Sequence, residues 1–519
     1  MVRLGSRVSP LAFGLLAVAM VLGSMAPEVA LAGPSDLASR LDAYLRAEME
    51  ANRLPGIAVG VVQDDETIFL CGYGQATAGA QMTPQTQLYI ASVSKSFTAL
   101  AIMQLVEDGA VALDTPVQTY LPWFALAEPD AAREITIRQL LHQTSGLGDA
   151  GYPTVRPGPN VSLEEGIRAL RDARPVTEPG TRFQYFNDNY NILGAVVQQV
   201  SGMPFAAYLR EHVLSPLDMR RTVMDPALAP DLAQGYGCVF GWPVPRDEAF
   251  VPAHVPSGFV ISTAEDMTRY VTAQLNAGRY GDTRVLSEAG MATMHSPGTV
   301  DAGDARGGYA MGWFISDIAG TSAIIHGGDL SNFHADVVLL PEENLGIVLL
   351  VNENGLVPTL GVYPRLLEGI VRIALGDPPP SGPGLVLIGW ILAALVAATV
   401  VSMVRKIVRS RAWAQEARPR SHVRVVLGTA GPVLLGVVLL ALPRLLTAST
   451  GRVARWGLLF ELAPDLIAWA WFAILSNAIL TALRLRALWR EQEQASSRTG
   501  ARQRGTSTDG RESPQDAAM

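Results

Sequence analysis

The sequence predicts an α+β fold: one antiparallel sheet flanked by helices, with a mostly helical insert, followed by a region of three membrane-crossing helices. Three observations predict it. Strand-like runs occur near both ends of residues 33–376 and are nearly absent between them. The span between those runs, about 96–300, reads as helical segments and long loops rich in Gly and Pro. After residue 384 the chain carries three uncharged apolar runs. Strands from both chain ends can share one sheet only if the helical part packs beside it, an α+β arrangement with a site expected where the two halves meet.

The elements follow in order. Arg3 and Arg7, the apolar stretch Leu11 to Leu22, and Ala30-Leu31-Ala32 before Gly33 have the form of a secretory signal over residues 1–32. An uncleaved anchor helix there would export residues 33–376 equally. Leu37 to Asn52 has helical periodicity. Ile57 to Val62 and Thr67 to Tyr73 read as strands around the turn Asp64-Asp65. Ser94 to Gly109 reads as a helix with Phe97, Leu100, Ile102, Met103 and Leu105 on its apolar face. Tyr309 to Ile315, Ser322 to His326, His334 to Leu340 and Gly346 to Val351 read as strands, and Leu360 to Ala374 as a closing helix. Asp377 to Gly384, sequence DPPPSGPG, reads as a stiff linker. The apolar runs are Leu385 to Val404, Val425 to Pro443 and Leu466 to Leu483. Each is long enough to cross a core of about 30 Å at about 1.5 Å per residue. Residues 484–519 read as a disordered polar tail.

Charge divides the chain in the same place. Residues 33–376 hold 20 Arg and 1 Lys against 38 acids, an excess of 17 negative charges. Residues 377–519 hold 16 Arg and 1 Lys against 9 acids, an excess of 8 positive charges. Between the first two apolar runs stand Arg405, Lys406, Arg409, Arg411, Arg418, Arg420 and Arg424 against Glu416 alone, and Arg484, Arg486 and Arg490 follow the third. The positive-inside rule makes both of these stretches cytoplasmic. The sequence therefore predicts a multi-pass cell-membrane protein with residues 33–376 outside. An acidic exported domain excludes nucleic-acid binding by bulk charge. Cys71 and Cys238 both fall in the exported part. An oxidising compartment permits a disulfide between them, and two buried free thiols fit equally.

The most informative residue is a lysine. The chain has 38 Arg and only two Lys, Lys95 and Lys406. Lys95 is therefore the lone amine of residues 33–376. Lysine can lose its proton when desolvated, and arginine effectively cannot. Lys95 follows Ser92 by three positions at the opening of a helix, which puts the two side chains on one face. A helix N-terminus also favours the developing negative charge of an attacking serine. Ser92 thus reads as a nucleophile and Lys95 as its base. The chain lacks H-E-x-x-H, C-x-x-C, a P-loop and a G-x-S-x-G elbow, so no metal and no cofactor is predicted.

Ser92-Val93-Ser94-Lys95 resembles the S-x-x-K motif of penicillin-binding proteins and β-lactamases. The flanks resemble the class C β-lactamase-like serine hydrolases: Leu88 to Ala91 before the motif and Ser96-Phe97-Thr98 after it. Ile137 to Leu147 resembles that family's TIRHLLTHTSGL stretch, and Pro179-Gly180, Phe183 and Tyr185-Phe186-Asn187 its Y-x-N motif. Asn189-Tyr190, Leu193-Gly194, Pro216 to Met219, Ser257-Gly258 and Ser262 to Asp266 continue the resemblance. His326-Gly327-Gly328 stands where the family carries K-T-G or H-x-G. The resemblance covers about 36–375 and implies an acyl-enzyme mechanism on an ester or amide. Cell-wall-derived or D-amino-acid peptides and β-lactams stand among the candidate substrates. It implies a proton-shuttling Tyr185, whose hydroxyl a neighbouring Lys95 ammonium would make more acidic. It implies that Asn187 binds a substrate amide, with His326, Gly327, Gly328 and Asp329 at the substrate-binding strand. The backbone N–H groups of Ser92 and Asp329 would form the oxyanion hole. His142 is expected to be structural.

One departure stands out. A lysine in the third motif would meet a substrate carboxylate with a permanent charge, whereas His326 does so only when protonated. Asp329 adds a negative charge beside it unless arginines compensate. Both disfavour anionic substrates. The alternative reading is a catalytically silent binding or sensing protein of the same fold.

Overall fold

A computed structural model describes residues 37–151, 160–298, 307–417, 422–450 and 453–505. The expected signal at 1–32 lies outside the described residues. The chain divides into two compact units, one of residues 1–390 with 451–453 and 461–463, the other of the remaining C-terminal residues.

The first unit is built on an eight-stranded sheet. Its strands are β1 (Gly56–Gln63), β2 (Glu66–Thr77), β3 (Ala80–Gln81), β4 (Gly308–Tyr309), β5 (Phe314–Ile318), β6 (Thr321–Asp329), β7 (His334–Leu340) and β8 (Leu345–Val351). Their spatial order is β4-β5-β6-β7-β8-β1-β2-β3, and every pair is antiparallel. The N-terminal hairpin thus joins the C-terminal meander through β1 and β8, in register from Ile57↔Val351 to Gln63↔Leu345.

Alternation along each strand assigns its side chains to two cores. Ile57, Val59 and Val61 of β1, with Leu345, Ile347, Leu349 and Val351 of β8, pack against the helices Leu37–Asn52 and Tyr363–Ala374. Ala58 and Val62, with Val348 and Leu350, face the larger core shared with the helical insert. Two glycines let the helix Ala264–Leu275 lie close on that face. A Cβ on Gly60 would come within 2.4 Å of Thr268, and one on Gly346 within 2.1 Å of Val271. The insert carries the buried helices Ser94–Glu107 and Asn187–Ser201.

One strand expectation needs correction. The run Tyr309 to Ile315 forms two strands, because the chain turns between them at Gly312, where φ is +82° and a Cβ would meet the Ser96 backbone at 2.8 Å. The stretch 377–384, expected as a stiff linker, is tied to the domain. Arg40 donates to Asp377 O at 2.7 Å, Arg365 to Pro383 O at 3.0 Å, and the Leu385 N–H to Asn52 Oδ1 at 2.8 Å. Of the two states that the sequence left open for Cys71 and Cys238, no disulfide joins them, and Cys71 is half-buried rather than buried.

Among the described residues two C-terminal helices are long and apolar enough to cross a membrane: Leu385–Val408, with mean hydropathy 2.5, and Pro464–Gln494, with 1.9. The second apolar run is shorter than expected. Val425–Leu440 is apolar, but the helix stops at Leu440 and a second helix, Leu442–Thr450, begins two residues on with Pro443 in its first turn, where its missing N–H costs nothing. The last helix, by contrast, runs on to Gly505 instead of giving way to a disordered tail at 484. Residues 484–498 are mostly Arg, Ala, Gln, Glu, Leu and Ser, with no Gly or Pro to stop it.

Candidate active site

Ser92 lies in the short turn Ala91–Val93 that runs straight into the helix Ser94–Glu107. The turn is held in an uncommon backbone state. Ala91 has φ +46°, a region that residues with a Cβ rarely occupy. Ser94 Oγ donates to Ala91 O at 2.6 Å and accepts from the Val260 N–H at 3.0 Å, and the Ile90 N–H donates to Val260 O at 3.0 Å. The surrounding bonds therefore fix a conformation that the turn would not choose alone.

Lys95 is fully buried. Its Nζ donates to Ser92 Oγ at 3.1 Å and to Ser257 O at 2.6 Å. The same nitrogen lies 4.9 Å from the Tyr185 ring centroid and 5.9 Å from that of Tyr190. The lone amine of the domain thus brings Ser92 and Tyr185 to one point. The carbonyl of Ser257 is a partner that sequence reading missed. The turn Val255–Gly258 that presents it is tied to the same helix by Thr98, which donates to Pro256 O at 2.7 Å.

Tyr185 is positioned by Gln143, also unforeseen. Gln143 is buried with φ +59°. Its backbone O accepts from the Gln184 N–H at 2.8 Å, and its Oε1 accepts from the Phe186 N–H at 3.0 Å and Asn189 Nδ2 at 2.6 Å. One side chain and its own backbone therefore bracket Tyr185 on both sides. The Tyr185 ring is half-buried, stacked on Phe314 at 6.3 Å and edge-on to Tyr309 at 6.2 Å. Burial pushes the hydroxyls of Tyr190 and Tyr309 well up, so neither is an acid near neutral pH. Asn187 opens the helix Asn187–Ser201, and its Oδ1 is a shielded acceptor with no hydrogen-bond partner among the described residues. His142, expected to be structural, is buried, its Nδ1 meets Tyr309 O at 3.1 Å, and burial lowers its pKa.

Strand β6 supplies the facing wall. β5 pairs with β6 only as far as Phe314↔Ile325, whereas β6 continues to Asp329. Residues 326–329 therefore leave one edge open. The Leu330 N–H donates to Phe333 O at 3.0 Å across the β6–β7 ladder. Alternation then turns the N–H groups of Gly327 and Asp329 to the open edge. That edge touches the Ser92 turn. A Cβ on Gly328 would stand 2.3 Å from Ile90 O and 3.0 Å from Ser92 N. Only glycine permits this approach.

His326, expected at the substrate-binding strand, does not point a free ring into the site. Its ring is buried, its Nδ1 faces Gly327 O at 2.7 Å, and its Nε2 lies 3.4 Å from the Tyr309 hydroxyl. The carbonyl contact assigns the proton to Nδ1. The Asp329 charge is also met differently from expectation. Its carboxylate accepts from His334 Nδ1 at 2.9 Å and from Asn354 Nδ2 at 2.9 Å, so a histidine rather than an arginine compensates it.

Comparisons with known proteins agree with this fold. The chain is 29% identical over 340 residues to the protein flp of Staphylococcus aureus, covering 64% of this chain and 66% of that one, so just under two thirds of that relative is matched. It is 31% identical over 349 residues to penicillin-binding protein 4 of Amycolatopsis lactamdurans, covering 65% and 88%. The octameric penicillin-binding protein homologue of Pyrococcus abyssi superposes with a TM-score of 0.57 at 25% identity, over 68% of this chain and 81% of that one. EstCE1, a hydrolase with promiscuous acyltransferase activity, has the same fold, with a TM-score of 0.57 at 24% identity over 65% and 98%. The Beta-lactamase family model matches residues 41–368, and the chain belongs to that family of serine hydrolases and penicillin-binding proteins.

Proposed function

We propose that this protein is a membrane-anchored hydrolase that acts outside the cell on an ester or amide, through an acyl-enzyme on Ser92. The contact that carries the reading is the 3.1 Å bond from the buried Lys95 Nζ to Ser92 Oγ. Ser92 Oγ attacks the substrate carbonyl and gives its proton to Lys95. The negative oxygen is received by the N–H groups of Ser92 and Asp329. Tyr185, beside the same amine, passes the proton to the departing alcohol or amine. A water molecule then enters by the reverse path, and the acid leaves Ser92 free.

The site favours a neutral substrate. His326 is engaged on both ring nitrogens, so no open cation waits for a carboxylate on β6. Half-buried Phe183, Tyr185 and Phe314 form an aromatic wall suited to an apolar group. The unpartnered Oδ1 of Asn187 suits a substrate N–H. Apolar esters and D-amino-acid amides fit this better than anionic β-lactams.

The test is hydrolysis of 4-nitrophenyl butyrate by the full chain in detergent, with labelling by a fluorescent penicillin in parallel. Ser92→Ala is expected to lower kcat by at least about 10³-fold, and Lys95→Arg by about 10²- to 10⁴-fold. Ester turnover unchanged in Ser92→Ala rules the mechanism out. Stronger turnover on penicillin than on any ester rules out the neutral-substrate preference.

A further inference from the structure

On the far side of β6 from Ser92 lies a cluster of side chains that the mechanism above does not use. His334 and Asp336 of β7 are two apart and so share a face, and Asp329 is the ladder partner of His334. Val338 and Leu340 continue that parity into the core beneath the helix Tyr363–Ala374. Ser92 instead packs near Gly328, on the opposite parity. His334 Nδ1 meets Asp329 Oδ1 at 2.9 Å, and its Nε2 meets Asp336 Oδ2 at 2.8 Å. The ring is stacked on Tyr363 at 4.1 Å and 14°.

Two carboxylates at one imidazole require a proton on each ring nitrogen. A neutral ring would turn a bare lone pair on one of them. Burial opposes the charge, but Asp336 and Asp329 overcome it and raise the His334 pKa to about 10. Both anchor points touch the strand that faces Ser92. Asp329 is further gripped by Asn354, which also donates to Leu330 O at 2.7 Å. Asp336 Oδ1 occupies the space beside Gly327, 3.0 Å from where a Cβ would be.

We propose that His334 is a positioning residue that clamps Asp329 and Asp336 and so holds the Asp329 backbone N–H at the open edge of β6, aimed at the oxyanion formed on Ser92. This rests on the reading of Ser92 as the nucleophile. His334 touches no substrate and acts through the ladder. The titratable groups around the ring are Asp329 and Asp336 beside it and Tyr363 beneath it. Glu353 lies behind Tyr363, whose hydroxyl donates to Glu353 O at 2.8 Å. Burial raises the Glu353 carboxyl to about 8, so that group also titrates in the alkaline range.

The experiment uses the full chain in detergent with 4-nitrophenyl butyrate, from pH 6 to 11. An oxyanion donor works in the transition state and not in substrate binding. His334→Gln and His334→Ala are therefore expected to lower kcat about 10- to 100-fold, less than the loss of a whole donor, with KM changed less than about threefold. Asp336→Asn keeps the shape but removes one carboxylate. It is expected to move the alkaline fall of kcat to lower pH, which a merely structural contact would not do. Unchanged kcat in His334→Gln, or a fall in kcat matched by KM, overturns the proposal.

A second measurement does not depend on activity. With ring-¹⁵N histidine in the Ser92→Ala protein, the His334 signal, assigned by its loss in His334→Gln, is expected to show both nitrogens protonated at pH 8. A neutral ring overturns the clamp. Ester turnover that survives Ser92→Ala overturns the nucleophile and the proposal built on it, and the imidazolium signal then separates that failure from failure of the clamp.

Discussion

At the residue scale, the chemistry that could be read from the sequence is the chemistry that only one residue type can perform. Lys95 stood out because arginine replaces lysine almost everywhere else in the chain. Its burial and its two bonds, to Ser92 Oγ and Ser257 O, are what an amine with a proton-transfer task needs and a surface lysine does not. Gln143 was silent in the sequence, because its function is to join segments that meet only on folding. It bonds to Gln184, Phe186 and Asn189, more than 40 positions away. Gln143→Leu leaves buried N–H groups unsatisfied and is expected to cost about 2–4 kcal/mol in a denaturant melt. It should also slow ester turnover by misplacing Tyr185. A melt within about 0.5 kcal/mol of wild type would contradict this role. Ala91 offers the converse test. Glycine accepts φ +46° without a Cβ penalty, so Ala91→Gly is expected to raise stability by up to about 1 kcal/mol. A lower melting temperature would show that the turn is not strained.

At the element scale, strands and helices were legible where periodicity decides them. The helix Leu37–Asn52 and the strand His334–Leu340 match their sequence patterns end to end. What escaped was set by close approach and not by pattern. A Gly312 turn splits one apolar run into two strands, and Gly328 lets β6 touch the Ser92 turn. Gly328→Ala forces a methyl to within 2.3 Å of Ile90 O. It is expected to reduce kcat more than tenfold while the far-UV spectrum stays native. Full activity in that variant would contradict the placement of β6. His334 and Glu353 give the element a pH signature. Each has its folded pKa raised above the unfolded value, to about 10 and about 8. Each therefore contributes stability at low pH that is lost as pH rises through those values. Thermal stability is expected to decline between about pH 7 and 10, and His334→Gln to flatten the upper part of that decline. A wild-type melting temperature that rises over this interval would contradict both assignments.

At the scale of the whole molecule, one sheet built from both chain ends, with a helical insert packed on one face, was legible from where strand-like runs begin and end. The reach of the C-terminal helices was less so. Hydropathy alone could not foresee that the second apolar helix stops at Leu440, with a new one starting at Leu442, or that good helix formers carry the last one to Gly505. The charge asymmetry makes a topological prediction that rests on arginine counts. An alkaline-phosphatase reporter fused after residue 412 is expected to be inactive, and one fused after residue 384 active. The opposite pattern would turn the protein over in the membrane.

The proposed acyl-enzyme on Ser92 can be tested directly. The direct measurement is intact mass of the full chain, rapidly quenched during turnover of 4-nitrophenyl butyrate, followed by peptide mapping. An added butyryl mass is expected on the peptide containing Ser92 and is expected to be absent in Ser92→Ala. An acyl group on any other residue, or undiminished turnover by Ser92→Ala, would contradict it.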